Sequence, residues 1–172
     1  MASGRYLLTG HDGAFAVEAF TCAQGPAGWH YAATRTDPRG GAALGALDLL
    51  VDDAGRVLRL EVTGGGWLLR GGVVGGEALW RRGDQERSAV AHGFTGTSPS
   101  YAVVATRLAV ATELLRLVEV HDAALATVEV DQRWTGAGQA WTSERRDTGE
   151  VGRWELWDGV VLAGPGVQLL PE

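Results

Sequence analysis

The chain has 172 residues and a mass of 18.1 kDa, with 15 basic and 21 acidic side chains, a formal charge of -6 and a pI of about 5.2. That length suits one domain over residues 1–172 and is enough to bury a core without staples. The acidic balance and the lack of any basic stretch exclude nucleic acid as the main partner. A single cysteine, Cys22, excludes a disulfide framework and a multi-cysteine zinc site, and no run approaches the roughly 20 apolar residues of a membrane-spanning helix. Lys, Asn and Ile are absent, so every cation is an arginine. Avoiding residues with A/T-rich codons points to a G+C-rich, bacterial genome. Each surface cation is then a planar guanidinium that stays charged at any working pH.

Met1 to Arg5 leads into only a short apolar stretch, Tyr6-Leu7-Leu8, before Thr9-Gly10-His11-Asp12-Gly13. A secretory leader needs about 7–15 apolar residues, so the expected location is cytoplasmic. Beyond this, glycine-rich punctuation divides short apolar segments. Asp53-Ala54-Gly55 separates Leu44–Val51 from Arg56–Val62. Gly64-Gly65-Gly66, Gly71-Gly72, Gly75-Gly76 and Gly83-Asp84 read as further turns, as do Gly136-Ala137-Gly138 and Asp147-Thr148-Gly149. Turns at intervals of about 8–12 residues between β-favouring runs predict an antiparallel meander. Leu58, Leu60 and Val62 alternate with Arg59 and Glu61. Val128, Val130, Gln132 and Trp134 alternate with Glu129, Asp131 and Arg133, and Trp154 and Leu156 with Arg153 and Glu155. Each strand therefore has one apolar and one polar side.

One segment departs from this period. Ser98-Pro99 offers an N-cap and a first-turn proline, and Tyr101, Val104, Ala105 and Leu108 then share one helical face. The expectation is one helix near 99–112, with Leu114–Val120 returning to strand. A meander of this length curls through its twist. The fold is therefore expected to be mainly β: a long curved antiparallel meander, or partial barrel, wrapped around the helix. A complete up-and-down barrel is the near alternative.

The chemistry-bearing residues are sparse. His11, His30, His92 and His121 show no ligand spacing, and no metal or cofactor is expected. Cys22 lies in the apolar run Ala14–Ala23 and reads as a small buried hydrophobe. Ser98 lacks a nucleophile-elbow context. Glu129, Asp131 and Arg133 project from one strand face, where Arg145 or Arg153 would complete a cross-strand charge ladder. No catalytic residue is assigned. The seven tryptophans are the strongest positive feature. Trp134 and Trp154 occupy their strands' apolar register and Trp80 follows it. Such indoles either fill a core or line an apolar cleft. Trp141 and Trp157 share faces with Arg145 and Arg153 and are expected to cover the convex surface or to form an interface.

The segment Gly93-Phe94-Thr95-Gly96-Thr97-Ser98-Pro99, followed by Arg107-Leu108, resembles the glycolipid-binding family of bacteria. Val128-Glu129-Val130-Asp131-Gln132-Arg133-Trp134 is similar to a later strand of that family. The resemblance implies a long curved sheet embracing a helix, as in periplasmic lipoprotein carriers, with an apolar groove for acyl chains. The sequence reading is a non-enzymatic binder of a lipid, glycolipid or other hydrophobic small molecule. Trp80, Trp134 and Trp154 would line the groove, and Arg133 or Arg107 would meet a polar head. The alternative is a protein-interaction or stress-accessory module with a filled core, using sheet edges or exposed indoles for self-association or partner binding.

Overall fold

The computed structural model describes residues 1–122 and 124–171. The first meander comprises β1 (Ala2–Gly10), β2 (Gly13–Gly25), β3 (Gly28–Thr36), β4 (Ala43–Val51), β5 (Val57–Gly64), β6 (Trp67–Val74), β7 (Glu77–Arg82) and β8 (Gln85–Val90). A short strand, β9 (Gly93–Gly96), leads into the helix α1 (Ser100–Ala109). The second meander comprises β10 (Leu114–Val120), β11 (Thr127–Ala137), β12 (Ala140–Arg145), β13 (Val151–Trp157), β14 (Val160–Gly164) and β15 (Val167–Leu170). All join one sheet in the order β8-β7-β6-β5-β4-β3-β2-β1-β15-β14-β13-β12-β11-β10-β9.

The topology is two meanders joined at β1 and β15 in the middle of the sheet. The chain runs outward to the edge at β8, then crosses to the opposite edge and works back. The sheet does not close, so the partial barrel describes it and the complete barrel does not. All pairings among the described strands are antiparallel except β9 with β10. That exception follows from the helix: a helix inserted between two paired strands makes a crossover, which leaves them parallel.

Alternation sets which face is buried. On β2, Ala16, Glu18, Phe20 and Cys22 are buried, whereas Ala19 and Thr21 are exposed. On β4, Leu47, Leu49 and Val51 are buried. The helix sits inside the curve, against β9, β10, β11 and β14. Its buried residues are Ser100 to Thr106 and Ala109, so it is covered all round rather than along the single face expected. Small side chains (Ala102, Ala105, Ala109) let the surrounding strands approach it.

The strands at the β9 edge are also covered on both faces. Leu117 and Val118 are sequence neighbours and point to opposite sides, yet both are fully buried. On one side Gly93 faces Leu108 of the helix. On the other, the Phe94 ring meets Trp80 edge-on, with centroids 6.2 Å apart. The curl of the first meander thus tucks the β9 edge inside, which hides one unpaired edge from solvent.

Two expectations need correction here. Gly71-Gly72 does not form a turn but lies within β6. A Cβ at Gly71 would stand 3.0 Å from Phe94 Cζ, so the residue clears room for that ring inside a continuous strand. Trp141 is not on the convex surface. It lies directly opposite Trp154 in the β12–β13 ladder and packs, partly buried, against the core. Trp157 does face outward and is 59% exposed. None of the described helices is long and apolar enough to cross a membrane.

The lock between the β9 edge and the first meander rests largely on one ring. Phe94→Ala is expected to destabilise the fold by about 3–5 kcal/mol, measured as a lower urea midpoint at unchanged slope.

Candidate functional site

The tryptophans mark where the concave face stops being uniformly apolar. Trp134 of β11 is buried, and its ring centroid lies 5.7 Å from that of Trp154 on β13. Each indole N–H is satisfied within the protein. Trp134 Nε1 donates to Gln132 Oε1 at 2.9 Å, and Trp154 Nε1 to Ser143 Oγ at 2.9 Å. A side chain at Gly164 would collide with the Trp154 ring, and a Cβ at Gly152 would stand 3.0 Å from its Nε1. The two glycines therefore form a bare backbone shelf on which the indole lies.

Between this pair and the start of α1 lies a cavity of about 200 Å³. Ser98 and Tyr101 line it from the helix end, Trp134, Trp154 and Ser143 from the sheet, and Arg145 from the rim. Arg145 is held on two sides. Its Nη1 donates to Glu119 Oε1 at 2.8 Å and Oε2 at 2.9 Å, while Nε and Nη2 reach the two Asp147 oxygens at 3.1 and 3.0 Å. The bonds to Asp147 and Glu119 push the Arg145 pKa further up, and the Arg145 guanidinium holds Asp147 below the ordinary carboxylate range. The result is a fixed planar cation at the cavity mouth.

Behind Ser98 is a buried ionic cluster. Glu18 and Arg35 are directly opposite each other in the β2–β3 ladder, and both are buried. Ser98 Oγ donates to Glu18 Oε1 at 2.7 Å. Arg35 Nε lies 3.1 Å from Glu18 Oε2, and its Nη1 pairs with Asp122 Oδ1. One guanidinium thus serves two carboxylates. Burial, joined by repulsion from Asp122, raises the Glu18 pKa against the attraction of Arg35 and the Ser98 hydrogen bond. Burial alone would lower Arg35, but Asp122 and then Glu18 outweigh it and keep the guanidinium charged. Burial raises the Tyr101 phenol, whose hydroxyl has no hydrogen-bond partner among the described residues. Ser98, expected to cap the helix, does two things: its hydroxyl gives its proton to Glu18, and its Oγ accepts the Ser100 backbone N–H at 3.4 Å. The cap position is Pro99, without a side-chain cap bond.

The structure brings two of the expected ligand-binding residues together, Trp134 and Trp154, and separates the rest. Trp80 is on the concave side but packs against Phe94. Arg107 stacks on Trp29, 4.3 Å from its ring centroid. Arg133 lies exposed on the outer face of β11. The outer charge ladder exists with a different partner: Asp131 binds Arg116 Nε at 3.1 Å, because Arg145 points inward. Glu18, Arg35, Ser143, Arg145 and Glu119 were not singled out as site residues. Glu18 alone carried a usable signal, as a carboxylate in the same register as Ala16, Phe20 and Cys22. Of the histidines, His30 pairs with Asp48 at 2.9 Å and His92 Nδ1 accepts the Arg116 backbone N–H at 2.9 Å. Comparisons of the chain with family models, curated proteins and solved structures return no match.

The Glu18 shift has a defined pH signature. The native state keeps the Glu18 proton to a higher pH than the unfolded chain, where the ordinary value is 4.5. Its contribution is therefore full below 4.5, falls as pH rises through the window up to the raised native value, and is constant beyond it. Glu18→Gln removes that titration. The stability of the variant relative to the parent should improve with rising pH across the window, as read from urea melts at a series of pH values. A difference that is flat with pH would exclude a raised Glu18.

Proposed function

We propose that the protein is a non-enzymatic binder of a small amphipathic molecule, whose polar head enters the cavity between α1 and β11–β13. The observation that carries this reading is the composition of the cavity wall. Two packed indoles, the hydroxyl-bearing Ser98, Tyr101 and Ser143, and one doubly anchored guanidinium converge on one space between sheet and helix. Binding sites combine apolar and aromatic walls with a few fixed polar groups in this way. Their positions are set in advance. The indole N–H groups and the guanidinium are held by protein partners, so little ordering entropy remains to be lost on binding.

Size limits the guest. At about 200 Å³ the cavity is smaller than the roughly 300–1,000 Å³ of sites that enclose drug-sized ligands. A head group or a single ring fits, and an attached chain would continue outside. A lipid or glycolipid is compatible with that division of the molecule. A second reading, an interaction module, is favoured by one observation: Trp157 and Val151 on β13 are each 59% exposed.

Tryptophan emission and native mass spectrometry with a panel of lysolipids, glycolipids and fatty acids test the first reading. A head-group-dependent emission change with a 1:1 adduct is expected. Ala102→Leu, which fills the cavity from the helix side, should remove it while the fold persists at a cost of about 1–3 kcal/mol. Absence of any adduct across the panel, or binding indifferent to Ala102→Leu, would overturn the cavity as the site.

A further inference from the structure

A second concavity lies not under the helix but on the convex face. It is a trough of about 690 Å³ over β5–β8. Its origin is local. β5 bulges where it pairs with β4, between Leu50 and Val51, and Leu58 emerges on the outer face, 41% exposed. Beside it Gly72 contributes no side chain, and a Cβ there would stand 3.1 Å from the Leu58 carbonyl oxygen. Leu79, opposite Gly72 on β7, and Val74 supply the remaining apolar wall at 43% and 69% exposure.

The next row of the ladder is charged in an unusual way. Arg70 and Arg81 are directly opposite each other on β6 and β7. Like charges in that position repel. Flanking carboxylates offset this only in part. Glu61 binds Arg70 Nε at 2.8 Å, whereas Arg81 reaches the exposed Asp84 at 3.4 Å and the Gly83 carbonyl, and Glu86, directly opposite it on β8, stays beyond ion-pair distance. Of the charged residues lining the trough, Arg70, Arg81 and Glu86 belong to the outer face, whereas Arg87 lies opposite Trp80 in the β7–β8 ladder and so starts from the inner face. The segment 56–87 holds six arginines against four carboxylates in a chain of formal charge -6.

We propose that this trough is a binding site for a monomeric anionic amphiphile. Its carboxylate or phosphate head would lie between Arg70 and Arg81, and its chain along Leu58, Gly72, Val74 and Leu79. Charge complementarity selects the occupant: an anion relieves the repulsion of the arginine pair, and guanidinium groups match its oxygens. The apolar row beside the pair gives a hydrocarbon chain a surface to cover. The site is separate from the cavity under the helix and does not depend on the function proposed for it.

Isothermal titration with decanoate below its micellar range tests the site. Saturable 1:1 binding is expected, with inorganic phosphate and the neutral decyl maltoside each weaker by about tenfold or more. Leu79→Glu should abolish decanoate binding, and the double variant Arg70→Gln/Arg81→Gln should weaken it by about tenfold. Ala102→Leu should leave it unchanged, and far-UV circular dichroism checks each fold. The site is excluded by lack of saturable decanoate binding or by binding that survives both outer-face changes. A loss confined to Ala102→Leu would also exclude it, moving the ligand to the helix cavity. So would association with anionic vesicles alone, which would make the patch a membrane contact.

Discussion

The constraint on which this structure depends is one-sided strands in a sheet too long to lie flat. Most of the fifteen strands bury one side only, and together they present an apolar face that only curvature can remove from water. The helix completes the burial. It is short and rich in alanine and valine, and it is covered all round, so it acts as a plug inside the curve. Its own helix propensity is modest because of Val103, Val104 and Thr106, so packing against the surrounding strands is what holds it.

The buried ionic cluster follows from the same geometry. Where the crossover from β8 reaches the helix, it must attach to the sheet at a point where both are already buried. Glu18, Arg35 and Ser98 make that attachment, and Asp122 ties in the loop after β10. A buried ion pair contributes little net stability compared with well-packed hydrocarbon, but leaving one member alone is costly. The cluster therefore acts mainly as a registration device. The first meander, the helix and the β10–β11 connection must be placed together for one guanidinium to reach two carboxylates.

Much of the fold was legible because alternation and turn chemistry are local. The strands around Leu60, Val130 and Trp154, the helix after Ser98-Pro99 and the strand Leu114–Val120 could all be read from spacing. The failures share a physical cause, which is that long-range contacts reassign local signals. A Gly-Gly pair reads as a turn, but Gly71 answers to Phe94 across the interior. A serine before a proline reads as a cap, and Ser98 Oγ does accept the Ser100 N–H, but its own proton goes to a carboxylate 80 residues away, which no local spacing reveals. Trp141 reads as outward because it shares a face with Arg145, and Ser143 lies on that same face. Those polar residues in fact line the inside, since the apolar-in rule inverts where the interior holds a polar cavity. Of the site, only the indole pair Trp134 and Trp154 was accessible from pattern. Arg145 and Glu119 meet from strands that are not neighbours, and no spacing reveals that.

Glycine within strands links the two concave features. On the inner face, Gly152 and Gly164 remove side chains so that the Trp154 indole can lie flat against backbone, and the cavity opens beside the held ring. On β6, Gly71 clears the inner face for Phe94, while its neighbour Gly72 leaves the outer face bare. Successive strand residues point to opposite sides, so a glycine pair thins the sheet on both faces at once. The same two positions that admit the ring locking the β9 edge also produce the apolar depression beside Arg70 and Arg81. The trough is thus a direct consequence of how the interior is closed. Its ligand-binding character comes from what surrounds it: a bulge that turns Leu58 outward and a like-charge pair that the protein's own carboxylates neutralise only in part.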